Sequence, residues 1–120
     1  MHPSTSFQKE HSAQKARLVQ IIKERSFQEG PLVKLASGKS STFYFNMKPT
    51  MLHPEGARLI AELILSKLVD IKFDMIGGLE MGAVPIASAV AAISDCQGRP
   101  VAAFFVRKQA KEHGTQSLIE

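Results

Sequence analysis

The segment from Phe73 to Val106 constrains the fold more than any other part of this sequence. A short apolar run, 73–77, is followed by a glycine-containing turn and then by an apolar helical pattern that begins at Pro85 and that Gln97-Gly98-Arg99-Pro100 breaks. A second run, 101–106, is apolar at every position, which is typical of a strand covered on both faces. Strand, helix and strand in this order predict one parallel, right-handed βαβ unit of an α/β sheet.

Two parallel strands do not form a stable sheet by themselves, because such sheets contain several strands with helices on both faces. The polar segment 107–120 shows no pattern for a third strand. We therefore expect the natural gene product to be longer than these 120 residues.

The first half of the chain predicts a leader, two helices and a strand pair. Residues 1–11 are polar and aperiodic, which predicts a flexible leader. Apolar side chains recur at helical spacing over 12–27, and the Gly30-Pro31 pair that follows is predicted to end this helix. The same spacing recurs over 54–68. Between these helices, 32–35 and 42–47 flank a Ser/Gly turn and predict an antiparallel pair of strands.

Composition narrows the class of protein only slightly. The chain carries a net charge of +4, which suits a phosphorylated ligand, a nucleic acid or an anionic membrane about equally. Cys96 is the only cysteine, which excludes an internal disulfide and a thiolate zinc site and indicates a reduced compartment. The sequence has no secretory signal and no apolar stretch long enough for a bilayer. We expect a cytoplasmic protein with no membrane partner.

The turn after the first predicted parallel strand is the first candidate site. Its candidate residues are Gly77, Gly78, Glu80 and Gly82. In an open α/β sheet, ligands bind beyond the carboxyl ends of the strands, where glycines let backbone N–H groups approach an anion. The start of the next helix adds a partial positive charge. A plain strand-to-helix turn is the alternative interpretation.

A cluster of basic residues follows the second predicted strand. Its members are Arg107, Lys108, Lys111 and His113. Because both segments leave the carboxyl ends of parallel strands, we expect them to lie at the same edge of the sheet. Arginine binds two phosphate oxygens at once and lysine supplies a mobile charge, so the cluster suits a polyphosphate. Small polar neighbours indicate a flexible flap over 107–117; solvated surface charge is the alternative.

Three adjacent aromatic residues, Phe43, Tyr44 and Phe45, form the third candidate site. Alternate side chains of a strand point to opposite faces, so the three cannot all enter one core. At least one is therefore available to stack on a flat ring. An ordinary half-buried strand is the alternative.

Taken together, these segments resemble the orotate phosphoribosyltransferases, which have the type I phosphoribosyltransferase fold. The resemblance is carried by residues 35–46, 77–87 and 105–114, in that order and spacing. It implies an incomplete domain over 12–120, with a parallel sheet flanked by helices, a small hood at about 30–48 and a βαβ core at 73–106. It also implies transfer of phosphoribosyl from phosphoribosyl pyrophosphate (PRPP) to orotate, with Mg²⁺, in de novo pyrimidine synthesis.

The resemblance implies a role for each candidate segment. The flap residues Arg107, Lys108, Lys111 and His113 would bind PRPP, acting across the interface of a homodimer, with Lys111 as the main catalytic cation. The turn containing Gly77, Gly78, Glu80 and Gly82 would be the pyrophosphate loop. Tyr44 and Phe45 would line the orotate pocket. No side chain is predicted to hold a metal by itself.

The sequence departs from the family pattern in two segments. Many members carry a lysine where this chain has Ala36, and a Tyr-Lys pair where it has Glu80-Met81. Whether Lys39 or Lys48 supplies the missing charge is left open. The acidic, Thr/Gly-rich loop that holds the ribose phosphate in the family does not occur in this sequence. We therefore expect these 120 residues alone to bind PRPP weakly and to have negligible activity.

Three alternatives to this function stay open. The segment 44–46 argues against a purine or uracil phosphoribosyltransferase. A non-catalytic regulator on the same fold would use the basic flap to bind PRPP or nucleic acid. The chain could also be the inactive product of a partial gene. Lys111 and His113 beside an aromatic hood favour the enzyme, without a nucleic-acid partner.

Overall fold

The computed structural model describes residues 5–34, 36–109 and 117–120 of the chain. Its backbone divides into two units, Met1–Gly56 and Ala57–Glu120. In chain order the elements are α1 (Thr5–Arg25), β1 (Phe27–Lys34), β2 (Ser40–Phe45), α2 (Lys48–Met51), α3 (Pro54–Lys67), β3 (Met75–Leu79), α4 (Ala83–Cys96) and β4 (Ala102–Val106). This alternation of helices and strands confirms the predicted α/β class.

In the first unit, β1 and β2 form the predicted antiparallel pair, but β1 begins earlier than the sequence indicated. The pairing starts at Phe27↔Phe45, and the two rings lie with centroids 5.0 Å apart. This cross-strand aromatic pair favours strand over helix at Phe27. Helix α1 therefore ends at Arg25, and the prediction that Gly30-Pro31 ends it was wrong.

Gly30 and Pro31 lie inside β1, where the register shifts between Glu29 and Val33. An irregularity of this kind leaves residues out of the ladder, so it accommodates a proline, which has no N–H to donate. Gly30 and Pro31, which often form turns, thus mark an irregularity within strand β1.

Helix α1 begins at Thr5, so the predicted flexible leader is helical from that residue. The polar residues 8–10, Gln-Lys-Glu, are good helix formers although they supply no apolar face, and the periodicity of apolar residues could not reveal them. Further along the helix, the guanidinium of Arg17 donates to both carboxylate oxygens of Glu55, over 2.7 and 3.0 Å. This hydrogen-bonded pair raises the pKa of Arg17.

The second unit contains the predicted βαβ arrangement. Strands β3 and β4 are parallel, with a register from Met75↔Ala102 to Leu79↔Val106, and α4 packs on both strands. The buried residues of its core are Ala61, Leu65, Val90 and Val101, surrounded by Ile64, Phe73, Ile76, Ile86, Ala89 and Ile93. Met75 and Leu79 are each more than half exposed, so the described residues leave one face of β3 partly uncovered.

Helix α4 ends where the sequence predicted. Gly98 has a φ of +77°, and its N–H donates to the carbonyl of Asp95 over 3.0 Å. Glycine adopts this left-handed conformation without the steric cost that a Cβ would bring.

The last residues of the chain return to β4. Phe105 and Glu120 exchange both backbone hydrogen bonds, over 2.9 and 2.8 Å, and Val106 forms an antiparallel bridge with Ile119. The described residues of segment 107–120 form no strand, but this isolated bridge adds backbone pairing to β4 that the sequence did not indicate. Backbone groups make this pairing, so the polarity of the side chains does not disclose it.

Candidate functional site

The turn after β3 and the residues after β4 lie at one edge of the sheet, as predicted. Because the two strands are parallel, their carboxyl ends face the same way. The N–H of Glu80 donates to the carbonyl of Val106 over 2.8 Å, which continues the ladder one step past Leu79. We call this edge the rim; among described residues it comprises Leu79–Gly82 and Val106–Gln109.

The side chain of Glu80 joins the two halves of the rim. Its Oε1 accepts a hydrogen bond from the backbone N–H of Lys108 over 2.8 Å, and its Oε2 lies 3.9 Å from Nη1 of Arg107. Sequence reasoning placed Glu80 in the turn but missed this pairing. The sequence did contain a signal for this pairing. A carboxylate follows one parallel strand and two cations follow the next, so topology places them opposite each other.

Arg107 is held from several sides. Its Nε donates to Oε1 of Glu120 over 3.2 Å, and its backbone N–H donates to the carbonyl of Leu118 over 2.6 Å. The guanidinium carbon lies 5.5 Å from the centre of the Phe105 ring, within range of a cation–π contact. With 26% of its side chain exposed, Arg107 is positioned and still accessible to an anion.

The glycines of the turn differ in what they allow. A Cβ on Gly77 would lie 2.7 Å from the ring of Phe104 and closer still to its carbonyl oxygen, and a Cβ on Gly78 would lie 2.7 Å from that of Ala83. Both glycines therefore permit close packing of β3 against β4 and α4. Among the described residues, no atom lies within 4 Å of the Cβ position of Gly82. The Glu80–Met81 peptide between these glycines is cis.

Two of the predicted flap residues, Lys111 and His113, lie outside the described residues. The structure describes Arg107 and Lys108 at the base of the predicted flap, and it resumes at Ser117. The roles predicted for Lys111 and His113 therefore stay predictions.

The hood aromatics are divided between the two faces of the hairpin. Phe43 and Phe45 share a face with Phe27, and the three rings contact one another with centroids 5.0–6.4 Å apart. Tyr44 pairs with Gln28 across the hairpin and points to the opposite face. The predicted pair of Tyr44 and Phe45 therefore cannot present both rings to one side of a ligand.

The two positions where many family members carry lysine, 36 and 81, are exposed. Met81 is 75% exposed at the rim, and Ala36 lies in the turn between β1 and β2. Lys39 is exposed in the same turn, and Lys48 begins α2, where its N–H donates to Oδ1 of Asn46 over 3.2 Å.

Neither a metal cage nor a membrane helix occurs in the described parts of the chain. No three His, Cys, Asp or Glu side chains come together there in a way that could hold an ion. None of the helices in those parts is both long and apolar enough to span a bilayer.

No protein-family profile matches the chain. Individual proteins do. Orotate phosphoribosyltransferase from Bradyrhizobium sp. (strain BTAi1 / ATCC BAA-1182) is 62% identical over 109 residues, which cover 91% of this chain and 58% of that protein. The protein of the same name from Sorangium cellulosum is 38% identical over 110 residues.

Solved structures give the same result. The crystal structure of Mycobacterium tuberculosis H37Rv orotate phosphoribosyltransferase in complex with Fe(III) dicitrate matches with a TM-score of 0.72 and 36% identity, covering 89% of this chain and 59% of that one. The chain thus spans somewhat more than half the length of the proteins it matches. Over that shared length, its sequence and its fold match those of the orotate phosphoribosyltransferases.

Proposed function

We propose that this chain takes part in the reaction of its family, the transfer of phosphoribosyl from PRPP to orotate. A bond forms between C1 of the ribose and a ring nitrogen of orotate, and the proton of that N–H is released to solvent. The bond from C1 to the diphosphate breaks, and its electron pair leaves with pyrophosphate, so that orotidine 5′-monophosphate is the other product. The observation that carries this proposal is the meeting of Arg107 and Lys108 with the glycine turn at one edge of a parallel sheet.

The rim residues would act on the diphosphate. The fork of Arg107 can bind two phosphate oxygens, and Lys108 adds a backbone N–H and a mobile charge. Positive charge placed where the leaving group gains negative charge lowers the barrier to its departure. A similar M. tuberculosis H37Rv structure, with a TM-score of 0.67 and 32% identity, is a complex with PRPP, which supports this choice of ligand.

Two further residues of the flap belong to the proposal through the family resemblance. Lys111 would be the main catalytic cation, and His113 would contribute to PRPP binding. In the same proposal the flap completes the site of a second copy in a homodimer. Either Tyr44, on one face of the hairpin, or Phe45, on the other face, would contact the flat orotate ring.

Mg²⁺ enters the proposal as an ion carried by PRPP. The rim offers cations and one carboxylate, which already accepts a hydrogen bond from Lys108. These groups suit a metal ion that arrives bound to its ligand better than one held by protein side chains alone. Mg²⁺ is usually bound through phosphate oxygens and retained waters, with few protein ligands. When bound, it would neutralise charge on the diphosphate. A cytoplasmic location is also part of the proposal, since Cys96 is the only cysteine.

Thermal shift with a panel of ligands tests the proposal. The 120-residue chain is melted with orotate, orotidine 5′-monophosphate, inorganic pyrophosphate with Mg²⁺, adenine and a short DNA duplex. We expect the first three to raise Tm, because a ligand that binds only the folded state stabilises it. Stabilisation by DNA alone would instead favour a nucleic-acid-binding regulator, and stabilisation by adenine a purine enzyme.

A pair of arginine variants tests whether pyrophosphate binds at the rim. Arg107→Ala should reduce the Tm shift caused by pyrophosphate. Arg58→Ala, which removes an exposed arginine of α3 that pairs with Glu62, should leave that shift unchanged. Equal shifts in both variants would remove Arg107 from the proposed site.

A further inference from the structure

Glu80 lies where the backbone fixes its position and its side chain spans the rim. Its N–H is held by the carbonyl of Val106 over 2.8 Å. From that fixed point the carboxylate reaches the start of the neighbouring segment, where it accepts from the N–H of Lys108 over 2.8 Å. The two strand ends are thereby linked through one negatively charged side chain.

The groups that Glu80 contacts are the groups an incoming phosphate would use. A backbone N–H and an arginine guanidinium are both common donors to phosphate oxygens. A carboxylate oxygen and a phosphate oxygen cannot occupy the same N–H of Lys108 at bonding distance. Two negative groups at neighbouring positions also repel each other, so binding of either disfavours the other.

The contacts of Glu80 are exchangeable. Its distance to Nη1 of Arg107 is 3.9 Å, longer than a hydrogen bond, and the two side chains are 24% and 26% exposed. Solvent reaches this partly exposed pair and screens it in part, and the long separation weakens it further. Arg107 also stays in place if Glu80 leaves, because Glu120 binds a different nitrogen, Nε, over 3.2 Å.

We infer that the Glu80 carboxylate is an internal competitor for anionic ligands at the rim, a latch that a diphosphate opens by displacing it from Lys108 and Arg107. This inference rests on the proposed function and adds a residue that limits affinity at the same site. Displacement frees the N–H of Lys108 and the Nη1 side of Arg107 for the ligand while the backbone of the turn stays paired.

The first test measures binding of inorganic pyrophosphate by isothermal titration calorimetry at fixed pH and ionic strength. Glu80→Gln keeps the shape and an oxygen acceptor but removes the charge. We expect it to bind pyrophosphate about two- to fivefold more tightly than the native chain, because a long, partly exposed ion pair contributes no more than about 1 kcal/mol. Glu120→Gln removes the other carboxylate beside Arg107 without touching Lys108, and should give no gain. Glu62→Gln, on α3, should leave affinity unchanged.

The second test uses the native chain and does not depend on the variant folding. Pyrophosphate is titrated into the ¹⁵N-labelled chain, and the amide signal of Lys108 is followed by NMR. Replacement of the Glu80 carboxylate by a phosphate oxygen as the acceptor of the Lys108 N–H should shift this signal. The shift should saturate at the same pyrophosphate concentrations as the heat measured by calorimetry. A signal that stays still while pyrophosphate binds would overturn the latch.

The outcomes separate the two proposals. If the native chain binds pyrophosphate as tightly as Glu80→Gln or more tightly, the latch is wrong and the proposed function stands. If neither protein binds pyrophosphate, the proposed function fails and the latch fails with it. Equal gains in Glu80→Gln and Glu120→Gln would also overturn the latch, since general charge reduction would then explain both.

Discussion

Ser94 binds Val101 across the junction between α4 and β4. The Oγ of Ser94 accepts a hydrogen bond from the N–H of Val101 over 3.0 Å and donates to the carbonyl of Ala91 over 2.7 Å. Ser94 is 0% exposed, and Val101 belongs to the buried core. This hydroxyl therefore satisfies a buried N–H at the point where the chain enters β4, the strand that leads to the rim.

Ser94→Ala should lower the free energy of unfolding by about 1–3 kcal/mol, because the N–H of Val101 would stay buried without that acceptor. Urea denaturation followed by circular dichroism measures this loss. Ser88→Ala, at an exposed position of the same helix, is the matched control and should change stability by less than about 0.5 kcal/mol. Similar losses in both variants would show that the hydroxyl of Ser94 has no special role.

Gly77→Ala and Gly82→Ala should change stability in opposite directions. A Cβ on Gly77 meets the backbone oxygen and ring of Phe104, so β3 and β4 must move apart, at a cost of about 1–3 kcal/mol. Gly82 has helical angles, φ −58° and ψ −33°, and open space around its Cβ position. Alanine there restricts the unfolded chain and should stabilise by up to about 1 kcal/mol.

Thermal denaturation of the two glycine variants, interpreted against the native chain, measures both effects. An unchanged Tm for Gly77→Ala would mean that the strands tolerate a wider spacing than their register suggests. A large loss in Gly82→Ala would mean that the start of α4 packs against residues beyond those described.

The βαβ unit could be predicted because each of its parts carries a local signal. The apolar runs give the strands, the spacing of Ile86, Val90 and Ile93 gives the helix, and Gly98 marks its end. The parallel arrangement then follows from the order of the elements. For the same reason, the meeting of Arg107 with the turn at one edge of the sheet followed from topology.

The features that the sequence did not predict depend on contacts between distant residues. The early start of β1 depends on Phe27 meeting Phe45, and the return of the chain end depends on backbone bonds between Phe105 and Glu120. Neither contact leaves a periodic pattern in the sequence. The partner of Glu80 was hidden for the same reason, since Lys108 follows it by 28 residues.

Arg99 provides a further test of how the second unit is held together. Its guanidinium donates to the carbonyls of Val69 and Ile71 over 3.1 and 2.7 Å, and lies 5.5 Å from the centre of the Phe73 ring. Arg99→Lys keeps the charge but cannot form this fork, so we expect a loss of about 1 kcal/mol by urea denaturation. Arg58→Lys, which can still pair with Glu62, is the control. A lysine at 99 that costs no more than a lysine at 58 would contradict the importance of the fork.

The two faces of the hood hairpin should respond differently to truncation of an aromatic ring. Phe45 packs on Phe27 with centroids 5.0 Å apart, so Phe45→Ala should lower stability by about 1 kcal/mol. Tyr44 lies on the other face and is 38% exposed, so Tyr44→Ala should leave stability almost unchanged.

Orotate binding, measured by calorimetry on the same two variants, then identifies which face the ligand uses. If Tyr44 stacks on orotate, Tyr44→Ala should weaken binding by about five- to tenfold, the value of one aromatic contact. Phe45→Ala should then weaken it much less, because its ring lies on the other face of the hairpin and a small loss of stability leaves the chain folded. The reverse order would assign orotate to the face of Phe43 and Phe45, because a ring on one side of a strand cannot substitute for a ring on the other.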